Sequence, residues 1–154
     1  MRTLLIIIAS VLLALPASAR IGETPAECLK RYGEFMDVGK DENTVLFSKG
    51  DLLIYCSFAE KKCWKIVFMH KTRRDSEIRT PLGDGEIEAL LDANAGVGKW
   101  NKLAPTENPA KKIWVCSDEK RQAFYSDQDG YLCIFHLTGE AKAKEEEKAK
   151  LKDF

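Results

Sequence analysis

The sequence has no surplus of charge of either sign, because 24 Lys and Arg residues face 24 Asp and Glu. A chain that holds nucleic acid normally concentrates Lys and Arg to displace counterions from phosphate. The densest cationic stretch here is Lys71-Thr72-Arg73-Arg74, which reads as a solvated loop. No nucleic-acid partner is therefore expected. Histidine is scarce, with two residues, and the five cysteines have no C-x-x-C, H-x-x-x-H or H-E-x-x-H spacing that would preorganise zinc. Phosphate loops, a nucleophile elbow and a dinucleotide fingerprint are missing too. The spacing thus predicts no metal, no cofactor and no catalytic residue. Long apolar runs are also lacking. A membrane-crossing helix needs about 18 or more apolar residues, whereas the run Leu4 to Leu15 is interrupted by Ser10 and stops at Pro16.

That short run has another use. Arg2, the apolar segment, Pro16 and the small residues Ala17-Ser18-Ala19 form the pattern of an export signal over residues 1–19, with cleavage expected before Arg20. The first cysteine is Cys28, so no lipid-attachment cysteine would open the mature chain. The expected product is an unlipidated protein with no membrane span, periplasmic or extracellular. Its domain should cover residues 20–138, followed by a charged tail over 139–154.

Thr24-Pro25-Ala26-Glu27 carries the marks of a helix start: a hydroxyl cap, a proline suited to the first turn, and a glutamate that can close a capping box. Gly33 is placed to end that helix in a left-handed conformation. Cys28, Leu29 and Tyr32 form its apolar face. From Thr44 to His70, β-branched and aromatic runs separated by turn residues predict a three-stranded antiparallel meander. Ile54, Cys56 and Phe58 should share one face of the middle strand, and Trp64, Ile66 and Phe68 one face of the last.

A turn cluster at Pro81 to Gly85 precedes a second helix with Ile87, Leu90, Leu91 and Asn94 at helical spacing and Asp84 as its expected cap. Gly96 to Ala110 reads as a loop. Three further strands follow, the last two joined by the turn Asp127-Gln128-Asp129-Gly130. The fold class is α+β. Its order, a helix and three strands twice over, suggests two copies of one unit; the alternative is a chance recurrence of common parts. From Gly139 the chain is rich in Ala, Lys and Glu and reads as a solvated helical or frayed tail.

Export into an oxidising space makes disulfides the default for Cys28, Cys56, Cys63, Cys116 and Cys133. Cys56 and Cys63 are the closest pair and lie on adjacent predicted strands, so they are the first candidates. Cys116 and Cys133 are the second, provided their strands become neighbours. Cys28 is left as a buried free thiol. A cysteine nucleophile with a histidine base would need Cys56 or Cys63 beside His70; Cys133 and His136, three apart on one strand, point to opposite faces. Trp64 and Trp114, in predicted strands, are expected in the core. Trp100 is either a loop-anchoring plug or an exposed contact residue.

The opening Ile21-Gly22-Glu23-Thr24-Pro25-Ala26-Glu27-Cys28-Leu29-Lys30-Arg31-Tyr32-Gly33, followed by a strand meander, resembles small exported bacterial proteins of uncharacterised function with a Gly-x-Thr helix ending in Tyr-Gly. More distantly it is similar to the helix-plus-strands unit of the outer-membrane assembly lipoprotein BamE and of the β-lactamase inhibitor protein. The resemblance implies a binding or structural role toward an unknown protein or envelope component. An exported, non-enzymatic binding protein is thus the first expectation, and a cysteine–histidine hydrolase the alternative.

Overall fold

The computed structural model describes residues 20–38, 43–72, 79–105 and 110–151; the segment 1–19, expected to be an export signal, and the end of the tail lie outside them. The architecture is α+β. Helix α1 (Pro25–Tyr32) is followed by strands β1 (Phe35–Val38), β2 (Thr44–Lys49), β3 (Leu52–Ala59) and β4 (Lys62–His70). Helix α2 (Asp84–Asn94) is followed by β5 (Trp100–Lys102), β6 (Lys111–Cys116), β7 (Arg121–Ser126) and β8 (Tyr131–His136), and α3 (Leu137–Leu151) closes the order.

The strands form one antiparallel sheet in the order β1-β2-β3-β4-β8-β7-β6-β5. Each half is a helix leading into a meander, and the last strand of each meander, β4 and β8, pair at the centre. The arrangement is compatible with a duplicated unit. Each unit has four strands where the sequence pattern predicts three. The additional strands, β1 and β5, are short sheet edges. Phe35 and Met36 are both exposed in β1, and β5 is mostly polar, so neither shows the alternation that marks a half-buried strand.

Helix α1 starts as its sequence dictates. The Thr24 hydroxyl accepts the Glu27 N–H at 3.3 Å, while the Glu27 carboxylate accepts the Thr24 N–H at 2.7 Å. Gly33 ends it at φ 88°, its N–H donating to the Leu29 carbonyl. Helix α2 begins one residue earlier than expected in its cap: Gly83, not Asp84, is the N-cap. The Glu86 carboxylate accepts the Gly83 N–H at 2.8 Å.

Both α1 and α2 pack on one face of the sheet. Cys28 and Tyr32 of α1 and Ile87 and Leu91 of α2 join Phe47, Ile54, Ile66, Phe68, Tyr125, Leu132 and Ile134 in a single core. Trp114 belongs to this core as expected. Trp64 does not. The pairing steps from Ser57↔Lys65 to Phe58↔Cys63, so Trp64 is the extra residue of a β-bulge. The bulge turns Cys63 inward beside Ile66 and Phe68 and leaves both Trp64 and Lys65 on the opposite side, with the Lys65 ammonium 5.0 Å from the Trp64 ring centroid.

The C-terminal segment forms a helix that packs on β3, β4 and β8 rather than fraying. Gly139 lies against Trp64, where a Cβ would overlap the tryptophan Cβ. Further along, the Glu146 carboxylate accepts the Glu60 N–H at 3.0 Å, and Lys142 pairs with the Glu60 carboxylate. Glu60 and Lys61, both at positive φ, form the two-residue turn between β3 and β4. Among the described residues no helix is long and apolar enough to cross a membrane.

Candidate functional site

Two features stand out, one on each face of the sheet. On the helix-covered face, Cys28 from α1, Cys56 from β3 and Cys63 from β4 converge, with all three sulfurs within 4.8 Å of one another. Each thiol is fully buried, and all five cysteines of the chain are free. Local structure explains the convergence. Cys28 lies on the inward face of α1, Cys56 follows the alternation of β3, and Cys63 arrives through the bulge.

Tyr32 stands one helical turn after Cys28 and is itself 7% exposed. Its hydroxyl is buried without a hydrogen-bond partner. Burial and the neighbouring sulfurs hold its pKa far above the ordinary phenol value, so it is a permanent O–H donor. The thiols titrate as a unit. The S–H groups of Cys56 and Cys63 stabilise a thiolate on Cys28 and lower its pKa, aided by the Arg31 guanidinium. The same hydrogen bonding, together with burial, raises Cys56 and Cys63. Arg31 is in turn held by Glu23, its Nε 3.0 Å from both carboxylate oxygens.

The expected pairs fare differently. Cys56 and Cys63 are adjacent, but Cys28, expected to stand apart, also has its sulfur within 4.8 Å of both. Cys116 and Cys133 are separated by β7 and face opposite sides of the sheet: Cys116 shares the face of Trp114, whose partners are Ala123 and then Ile134, whereas Cys133 pairs with Phe124. Cys116 packs under Gly98, its thiol 3.8 Å from the Ala95 carbonyl.

The histidines are not brought to the thiols expected to use them. His70 is at the far end of β4 from Cys63, about 20 Å away at ~3.3 Å per residue, and its Nε2 is 3.0 Å from the Glu86 carboxylate. Glu86 is held below the ordinary carboxylate range, first by the Gly83 N–H and then by His70. His136 lines a small cleft with Cys63, Asp118 and Arg121, and burial lowers its pKa. Trp100 is half-buried in β5 and packs against the core. Its indole N–H donates to the Leu91 carbonyl at 2.5 Å, which ties β5 to α2.

The second feature is the sheet face away from α1 and α2. Tyr55, Val67, Met69, Phe124, Tyr131 and Phe135 line a groove of about 580 Å³, with Trp64, Lys65 and Glu140 at the α3 end. Phe124 packs edge-on against both Tyr131 and Phe135, with ring centroids 5.7 and 6.4 Å apart. Cys133 lies in the groove floor, where burial pushes its thiol up to about 11. These outward residues alternate with core residues on the same strands, so the pattern that fixed the core also implied this face. Sequence reading named the inward set and passed over the outward one.

Comparison with protein-family models, with curated proteins and with solved structures finds no match, and the reading of both features rests on their own geometry.

Proposed function

We propose that this is an exported, non-enzymatic binding protein of the periplasm or extracellular space, and that the open sheet face is its contact surface. One observation carries the reading: an aromatic and aliphatic groove lies on the side of the sheet that α1 and α2 leave uncovered. Tyr55, Val67, Phe124, Tyr131 and Phe135 are half-buried there, so part of each side chain stays open to a partner. Its composition suits a protein partner. Tyrosine, phenylalanine, tryptophan and methionine are the residues enriched where proteins meet, and Tyr55 and Tyr131 add hydroxyls to apolar rings. Lys65 and Glu140 supply charges of both signs at one end, which fits a partner that inserts an apolar side chain and meets a polar rim. The near-neutral chain gives no electrostatic support for nucleic acid.

Photo-crosslinking in the native envelope tests this. A crosslinking residue at Tyr55 or Phe124 is expected to give a discrete protein adduct, and one at Glu88 on the exposed side of α2 is not. Phe135→Ser should abolish the adduct formed from position 124. Adducts that are absent from the open face, or equal from both positions, would overturn the proposal.

A further inference from the structure

We propose that Cys28, Cys56 and Cys63 form a buried, three-coordinate site for a soft monovalent cation, copper(I). A disulfide needs two sulfurs, and this cluster presents three that are mutually close, contributed by a helix and two strands. A cation bonded to three sulfurs at the ~2.3 Å of a metal–thiolate bond sets those sulfurs roughly 4 Å apart, inside the 4.8 Å that encloses them here. The donor set chooses the ion. Thiolates favour copper(I), whereas a structural zinc site closes with four ligands. Among the described residues no fourth Cys, His, Asp or Glu joins the group.

A second observation points to a ligand at the same place. The Tyr32 hydroxyl is buried, lacks a partner and belongs to a side chain one helical turn after Cys28 on the inward face of α1. Donating to a metal-bound sulfur satisfies it and disperses the negative charge, as second-layer groups do around metal centres. Binding forms three Cu–S bonds and releases the thiol protons to solvent, with no electron transferred.

The test uses the reduced, full mature chain and copper(I) supplied without oxygen against a chromophoric copper(I) chelator. One copper per chain should be retained, and X-ray absorption should count three sulfurs around it. Cys28→Ser, Cys56→Ser and Cys63→Ser should each lower the sulfur count or lose the metal, while Cys116→Ser and Cys133→Ser bind like the parent. Tyr32→Phe should keep three sulfurs and weaken binding roughly 10- to 100-fold. Because X-ray absorption reads the metal itself, a serine variant that folds less well still reports its ligand number. Failure to hold copper against the chelator, undiminished binding in the triple serine variant, or retention of zinc(II) but not copper(I) would each overturn the proposal. So would a disulfide between two of the three cysteines in protein taken from its native compartment.

Discussion

The two halves of the sheet follow one topology but fasten their helices with different chemistry. In the first half, α1 meets the strands through sulfur, with Cys28 set against Cys56 and Cys63. In the second, the end of α2 is tied by amide and guanidinium groups. Arg121 donates to the Asn94 carbonyl at 2.6 Å and is itself held by Asp118, and the Trp100 indole reaches the Leu91 carbonyl. The Asn94 side chain, 1% exposed, accepts the Ile21 N–H at 3.3 Å and donates to the Leu90 carbonyl at 2.9 Å. The polar joint has its donors and acceptors matched. The sulfur joint has three weakly bonded thiols and one orphaned hydroxyl, and so has valence left for something else.

The sharpest way to break this contrast is at Asn94. Asn94→Ala strands the Ile21 N–H and removes a bond that ties the opening of the first half to the helix of the second. The expected loss is ~1–3 kcal/mol, read from denaturant melts. A loss of a few tenths would mean that the polar joint contributes little to holding the halves together. The next largest effect lies at the start of α1. Thr24→Ala removes the hydroxyl of a closed capping box and should lower stability by ~0.5–2 kcal/mol; an unchanged midpoint would show that the box adds nothing. The smallest effect sharpens the comparison. Gly83 caps α2 without a side chain, at a φ of −70° that any residue adopts, and a Cβ there meets only the Glu86 carboxylate at 3.5 Å. Gly83→Ser should therefore stabilise the second half by a few tenths of a kcal/mol, seen as a slightly raised Tm.

Much of this arrangement is legible in the sequence because it depends on local chemistry. The Thr24 box, the Gly33 stop, the β2–β4 meander and the Asp127–Gly130 hairpin depend on side chains close in sequence acting on their own backbone. What is not legible depends on partners far apart in the chain. β1 and β5 exist because a neighbouring strand offers hydrogen bonds, not because their residues alternate. Cys28 reaches Cys56 and Cys63 only once α1 lies on the sheet, and no spacing rule connects residues on three elements. The packing of α3 rests on the absence of a side chain at Gly139, which in isolation reads as a helix-weakening residue.

The bulge at Trp64 divides β4 into two reading phases. On the hairpin side of it, odd-numbered Cys63 points to the helices; beyond it, even-numbered Ile66 and Phe68 do. With Trp64 and Lys65 both on the groove side, Cys63 shares the covered side with Ile66 although three positions separate them. The sulfur cluster and the α3 end of the open face are for that reason consequences of the same break in register. The same residues held in unbroken register would bring Trp64 to the covered side and turn Cys63 away, withdrawing its sulfur from Cys28 and Cys56 and the aromatic wall from Gly139 together.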